Sequence, residues 1–425
     1  MDLLTALALA LLAFLGAPLF AIIGAVTLLC FSAEGIDPSV MMVDVTRIAT
    51  NPTLVAIPLF TFAGYILAES KAPTRLVNLT RALVGSFPGG LAVVVLLTCA
   101  LFTAFTGASG VTIVALGGLL YPSLLKEGYP ERFALGLITT SGSLGLLFPP
   151  SLPIILYALV GTLSIDKLFV AGLVPGALLV LILSGFAIMR GWRFNVPRHP
   201  FVLREAIAAI RATAWEIPLP VIIVGGIYSG LFTATEAAAV TAFYALVVEV
   251  FVYRDLHLFR DIPRVMKESM LLVGAIVMII CVAMGLTNFL IDQEIPNKLF
   301  EFTRSFVTSP AMFLVVLNIF LILVGMMMDI FSAILVVVPL IMPIAEAYQI
   351  NQVHLGIIFL TNLEIGYLTP PVGLNLFISS LRFKRPLFSV VRATLPYIAI
   401  LLLALLVITY IPGLSLWLVD ALGVR

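Results

Sequence analysis

The chain has 425 residues, 62% of them hydrophobic and 11% charged, with a mean hydropathy of +1.19. Soluble domains carry about 25% charged residues, so this chain has less than half the usual solvating charge and reads as an integral membrane protein. Lys+Arg 23 against Asp+Glu 22 leaves no basic excess for nucleic acid to recognise.

In chain order, apolar runs long enough to cross a hydrocarbon core occupy 3–32, 52–69, 168–190, 217–231 paired with 232–253, 269–291 and 391–412. The first lacks a basic segment before it and a small-residue cleavage pattern after it, so it reads as a retained helix. Four other apolar stretches are interrupted. Residues 89–125 break at Thr106-Gly107-Ala108-Ser109-Gly110, and 132–160 at Phe148-Pro149-Pro150. Residues 311–345 break at Met326-Met327-Met328-Asp329, and 354–381 at Thr369-Pro370-Pro371. Cys30, Cys99 and Cys281 lie apart in apolar runs and read as small hydrophobes. His199, His257 and His354 are scattered and read as lying in or beside polar loops, which disfavours a metal or haem centre.

The interruptions repeat. A shift of 221 residues carries Gly64 onto Gly285, Pro122 onto Pro343, Gly145 onto Gly366 and Pro149-Pro150 onto Pro370-Pro371. Ser109 falls one place beyond Asp329. Punctuation kept at one offset over so long a stretch indicates two homologous halves, 1–195 and 217–425, joined by a basic linker at 196–216.

Charge sets the orientation. Arg190, Arg193, Arg198, Arg204 and Arg211 before the second half, and Arg382, Lys384, Arg385 and Arg392 near its end, place those segments in the cytoplasm. Residues 33–51 and 292–309 carry an acidic excess and read as external. The threading that meets all four makes 89–125 and 311–345 re-entrant hairpins and inverts the topology of the two halves. The N-terminus is then inside and the C-terminus outside. The expected fold is all-α and polytopic, two inverted repeats with hairpins and broken helices.

A break at membrane depth frees backbone groups that lipid cannot satisfy, at several kcal/mol each unless protein, water or an ion does so. A Pro-Pro pair removes two donors and leaves orphan carbonyls, which suit a small cation. The half-helix N-termini beside them suit a carboxylate. Two tips facing two broken helices is the layout of a secondary transporter's binding site. Asp329 is a carboxylate deep in an apolar stretch, where it coordinates a cation with Ser332, caps the helix that follows, or does both. The tip Gly107-Ala108-Ser109-Gly110 is small enough for a ligand to approach the backbone, and Ser141, Ser143 and Gly145 face the same cavity on this reading. Glu364 precedes the second break and serves either coupling or a structural hydrogen bond. Thr233 and Glu236 form a capping box, and Glu249 reads as interfacial beside Tyr253-Arg254. No paired Asp or cluster of His and Ser marks a catalytic centre, so no enzymatic activity and no catalytic residue is expected.

GLFTATEAAAV at 230–240, FTGASGVTIVALGGLLYP at 105–122, LGLLFPPS at 144–151 and LEIGYLTPPVGLNLF at 363–377 resemble the large membrane subunit of tripartite ATP-independent periplasmic (TRAP) transporters. The resemblance covers nearly the full chain. It implies sodium-driven uptake of an organic acid, such as a dicarboxylate or sugar acid, across a bacterial inner membrane by an elevator motion. A periplasmic substrate-binding protein would deliver the substrate. The small membrane subunit is expected as a separate chain, because Met1 opens directly on a helix matching the large subunit. Sodium is the only metal implied, and no cofactor. Carried onto this chain, one sodium site uses Ser109 with carbonyls near Gly145, Phe148 and Pro150. The second uses Met328 and Asp329 with carbonyls near Gly366 and Thr369. Substrate sits between the tips, near Gly107, Ala108, Gly110, Ser141, Gly373 and Asn375. A stand-alone sodium-coupled dicarboxylate carrier of the same design is the nearest rival.

Overall fold

The computed structural model describes residues 11–12, 17–87, 89–194, 196 and 200–423, and among these the regular structure is entirely helical. The first half contains α1 (Leu19–Ala33), α2 (Val40–Ala49), α3 (Ala56–Glu69), α4 (Ala72–Val84), α5 (Gly90–Thr106), α6 (Ser109–Lys126), α7 (Glu131–Ser141), α8 (Leu152–Val160) and α9 (Ile165–Phe194). After α10 (Leu203–Ala212) come α11 (Pro218–Tyr228), α12 (Ala234–Val247), α13 (Asp261–Asp292), α14 (Ile295–Phe306) and α15 (Pro310–Met327). The chain continues through α16 (Ile330–Ala347), α17 (Gln352–Gly366), α18 (Leu374–Phe383), α19 (Leu387–Tyr410) and α20 (Gly413–Ala421).

Among the described residues, 8 helices are long and apolar enough to cross a membrane. A further pair, Glu131–Leu147 with Leu152–Val160, meets the same test but bends by 46° between its parts. The expected span at 3–32 falls partly outside the described residues; its described part is α1, which follows Pro18.

The shift of 221 residues found in the sequence also maps helix onto helix. It carries α4 through α9 onto α14 through α19 to within two residues at each start. One difference has a local cause. The mates of α2 and α3 are fused into the single 32-residue α13, whereas Asn51-Pro52 interrupts the first half. Pro52 cannot donate to a preceding carbonyl, and the Asn51 side chain instead accepts from Thr53 N, starting a new short 3-10 turn.

Other ends follow the same logic. Thr233 and Glu236 make the reciprocal capping box expected of them, and Asn351 accepts from Val353 N and His354 N to open α17. Five helices were not expected: α2, α4, α10, α14 and α20. Short amphipathic helices, among them α4, α10 and α14, occupy stretches read from the sequence as loop or linker, because hydropathy alone registers only long apolar runs.

His354, read as lying in or beside a polar loop, directly follows the turn whose Asn351 caps α17. It is buried at the start of α17, its ring nitrogens 3.1 Å from Ser415 Oγ and 3.2 Å from Thr409 O, tying α17 to α19 and α20. Glu249, read as interfacial beside Tyr253-Arg254, is wholly buried within the protein beneath Arg75 of α4, where Nη2 donates to both of its carboxylate oxygens at 2.9 and 3.1 Å. The same guanidinium donates through Nε to Glu216 and through Nη1 to Asp255, and lies 3.8 Å from the Tyr253 ring centroid. This cluster pins α4 to the residues before α11 and after α12. Burial, opposed by Arg75 and reinforced by Glu249, pushes the Glu216 carboxyl up to about 7.

Candidate functional site

Each interruption is narrower or wider than the sequence suggested. In the first hairpin only Gly107 and Ala108 leave the helical path: Gly107 turns with φ +63°, and Ala108 is extended. In the second hairpin Met326 and Met327 remain helical, and only Met328 and Asp329 are extended. The first proline break is longer than three residues. It runs from Gly142 to Ser151 around a short 3-10 turn at Leu144–Leu147. The second runs from Tyr367 to Gly373. Both proline pairs contain a cis peptide bond.

Each hairpin is clasped to the break of its own half, through mated residues. A Cβ on Gly145 would lie 2.3 Å from Ala100 O and 2.5 Å from Ala104 N of α5. A Cβ on Gly366 would lie 2.6 Å from the backbone of Gly325 of α15. The shift of 221 that relates Gly145 to Gly366 also relates Ala104 to Gly325. The same backbone-to-backbone contact is therefore built twice, and it needs glycine because no side chain fits between the two chains.

Further bonds secure each clasp. Thr103 Oγ1 lies 2.7 Å from Thr112 Oγ1 and donates to Gly142 O at 2.8 Å. At the second clasp Ile330 N donates to Tyr367 Oη at 2.6 Å, and Gly373 N donates to Met326 O at 3.1 Å. The tip of the first hairpin thus touches both sides of its break: Ser109 O lies 3.3 Å from where a Gly142 Cβ would be, and Gly107 presses on Leu152.

The two halves also interlock. From α18, Asn375 Nδ2 donates to Thr139 O at 3.4 Å, and Ser379 Oγ accepts from Thr139 Oγ1 at 2.9 Å. Gly110 of the first tip faces Ile378. Asn375 therefore stands between the halves, fully buried.

Several buried acceptors around this junction have no hydrogen-bond partner among the described residues. They are Thr106 Oγ1, Thr140 Oγ1, Ser151 Oγ and Asn375 Oδ1. Buried polar atoms are paired in the great majority of cases, so unpaired oxygens on residues flanking the breaks are candidates to meet a ligand. Thr106, Thr140 and Ser151 were not singled out from the sequence. Ser151 was readable, since it follows Pro149-Pro150 directly; nothing in the pattern distinguished the threonines from ordinary helix-bonding ones.

The proposed residues fall into distinct surroundings. Ser109, Gly145 and Pro150 are buried and Phe148 is half-buried. Ser141 is buried too, but its hydroxyl donates to Ile138 O of its own helix at 3.1 Å. Asp329 is half-buried and caps α16: Oδ1 accepts from Phe331 N and Ser332 N, each at 3.0 Å, and Oδ2 accepts from Ser332 Oγ. Met328 and Thr369 are half-buried, Gly366 and Gly373 buried, and Pro370, Pro371 and Val372 exposed. Glu364 is fully buried with neither carboxyl oxygen hydrogen-bonded among the described residues. Among those residues no group of three His, Cys, Asp or Glu is placed to hold a metal ion.

Paired hairpins clasped to paired broken helices, in an all-helical chain with this many apolar spans, define a transporter permease. Residues 3–414 match the family model described as Tripartite ATP-independent periplasmic transporter, DctM component, and the chain belongs to that family. It is 41% identical to the C4-dicarboxylate TRAP transporter large permease protein DctM of Pseudomonas aeruginosa, covering 94% of this chain and 93% of that one. It is 33% identical to the isethionate TRAP transporter permease protein DctMQ of Oleidesulfovibrio alaskensis, covering 95% of this chain and 64% of that longer one. In fold it is similar to the YdaH transporter of Alcanivorax borkumensis, with a TM-score of 0.65 at 13% identity over 89% of this chain and 88% of that one.

Proposed function

We propose that this chain is the permease through which an organic acid of the C4-dicarboxylate kind enters a bacterial cell across the inner membrane, coupled to sodium. The observation that carries the reading is the duplicated clasp of Gly145 on Ala104 and Gly366 on Gly325, with unpaired buried oxygens on residues that flank the breaks in sequence. Such a junction offers hard oxygen ligands for a small cation and helix starts for a carboxylate. End-to-end similarity to a C4-dicarboxylate permease supports the substrate class, and the isethionate relative supports a wider preference for small organic anions.

One sodium ion is held by Ser109 with carbonyls of Gly145, Phe148 and Pro150, and another by Met328 and Asp329 with carbonyls of Gly366 and Thr369. Substrate lies between the tips against Gly107, Ala108, Gly110, Gly373 and Asn375. Ser141 belongs behind this surface, its hydroxyl already committed to its own helix. The halves, 1–195 and 217–425, are inverted repeats whose hairpins are re-entrant, with the N-terminus inside and the C-terminus outside. The hairpins and broken helices move as a body against the remaining helices. A periplasmic binding protein delivers substrate, and a separate small membrane subunit completes the complex; the match to almost the whole of a large permease supports that division.

The test is uptake into proteoliposomes holding this chain and its small subunit, with radiolabelled organic acids and an inward sodium gradient. Uptake that requires both sodium and the binding protein is expected. Sodium-driven uptake without the binding protein would instead make the chain a stand-alone carrier.

A further inference from the structure

Away from the clasps, the start of α7, the end of α9 and the start of α19 flank two adjoining open clefts of opposite character. The first, about 460 Å³, is lined by Arg132, Arg385, Arg392 and Ser389, with Glu131 as its acid. The second, about 310 Å³, shares Arg132 and adds Arg190, and is otherwise walled by Phe133, Phe186, Phe194, Pro396 and Tyr397. A cationic chamber thus opens beside an aromatic one, with Arg132 common to both.

The charge in the first chamber is not neutralised from within. Glu131 is engaged by Arg385. Arg132 donates through Nε and Nη2 to a backbone carbonyl, Arg392 O, at 3.2 and 2.8 Å, which leaves its positive charge without a counter-ion. The Arg392 guanidinium rests over the Phe388 ring at 4.4 Å, and that of Arg190 over Phe186 at 5.2 Å. No carboxylate among the described residues pairs with Arg132, Arg190 or Arg392. The second chamber is apolar in effect as well as composition. Phe133 packs edge-on to Phe194 at 5.5 Å and Phe186 edge-on to Tyr397 at 5.4 Å, and the Tyr397 hydroxyl is spent on Phe133 O at 3.0 Å.

We infer that this cleft binds an anionic phospholipid, its phosphate among Arg132, Arg190 and Arg392 and an acyl chain along the Phe133, Phe186 and Tyr397 wall. Both requirements of such a ligand are met side by side: an unneutralised guanidinium group for the phosphate and a largely aromatic cleft that shares Arg132 with it. Basic pockets between transmembrane helices are the usual form of such sites. On the orientation proposed above the cleft faces the cytoplasmic leaflet. Binding in detergent does not depend on that orientation, so the two ideas fail separately.

The experiment uses the full-length chain, purified in mild detergent with any subunit that accompanies it. Phosphatidylglycerol and phosphatidylcholine of identical acyl chains are titrated, and retention is followed by native mass spectrometry and thermal unfolding. Preferential retention of phosphatidylglycerol is expected. Arg132→Gln and Arg392→Gln should each weaken it about fivefold, the equivalent of ~1 kcal/mol per basic residue. Phe186→Ala should weaken phosphatidylglycerol without restoring phosphatidylcholine. Equal retention of the two lipids, or unchanged retention in the arginine variants, would overturn the site. Glycerol 3-phosphate binding as tightly as phosphatidylglycerol would also overturn it, since the occupant would then be a free anion. Should the variants not fold, salt on the parent decides: the preference for phosphatidylglycerol must fall as salt rises, and a preference indifferent to salt overturns the proposal.

Discussion

The first and second halves of the chain carry the same punctuation and make different chemistry of it. At the first break every residue from Gly142 to Ser151 except Phe148 is buried, the tip against it is uncharged, and hydroxyl oxygens stand there unpaired. At the second, Pro370, Pro371 and Val372 are exposed and the tip bears Asp329, its oxygens already occupied by α16. The helices that precede the hairpins differ in the same sense. Arg75 fastens α4 through three carboxylates, while its mate α14 carries exposed Phe302 and Phe306. The two stretches therefore share a backbone solution, a glycine at each closest approach, while their side chains make the first closed and anchored and the second open.

The largest effect should come from removing the anchor. Arg75→Ala leaves Glu216 and Glu249 buried without their cation, with Asp255 held only by Lys71, and should destabilise the chain by about 3–5 kcal/mol, seen as a fall in its unfolding temperature in detergent. Removing a cation from the mate helix, Lys298→Ala on α14, should stay within about 0.5 kcal/mol. Equal losses would erase the contrast.

The clasp should behave in the opposite way, alike in both halves. Gly145→Ala and Gly366→Ala each force a methyl into backbone and should cost about 1–3 kcal/mol or more, with uptake lost in both. A variant of either that transports normally would show that its half does not depend on the close approach.

Asp329 separates capping from coupling. Asp329→Ala should cost about 0.5–2 kcal/mol as a lost cap, whereas Asp329→Asn can still accept from Phe331 N and Ser332 N. The Asn variant should fold like the parent and show a weaker sodium dependence of uptake. An unchanged sodium response would confine Asp329 to capping, and the open half would lose its assigned ligand.

Rising pH should weaken the anchor around Arg75. The Glu216 carboxyl is raised from 4.5 to about 7 by burial, so between those values the folded chain binds more protons than the unfolded one. Its contribution is present at the acid end of that window and is lost as pH rises through about 7. Glu216→Gln should flatten this decline in unfolding temperature. A control closes the series: a Cβ at Gly274 of α13 would meet nothing within 4 Å, so Gly274→Ala should stabilise by about 0.5–1 kcal/mol.

Membrane character, the long spans, the positions of the four interruptions and their spacing were all legible in the sequence. Each rests on local composition or on the covalent limits of proline and glycine, which hold wherever the chain goes. The capping box at Thr233 and Glu236 was legible for the same reason, since both partners lie within one turn. What Gly145 and Gly366 touch was not legible, because their partners stand some forty residues away in sequence and only the folded hairpin brings them within contact. The pairing of Arg75 with acids more than 140 positions distant was equally out of reach, and with it the burial of Glu249. The same holds for His354, whose partners lie on two later helices. The sequence by itself determined where the helices must break, because broken backbone is written in residue type. Only the tertiary structure decided which breaks meet, which oxygens are left unpaired and which charges are buried together, because those depend on distances that no local pattern encodes.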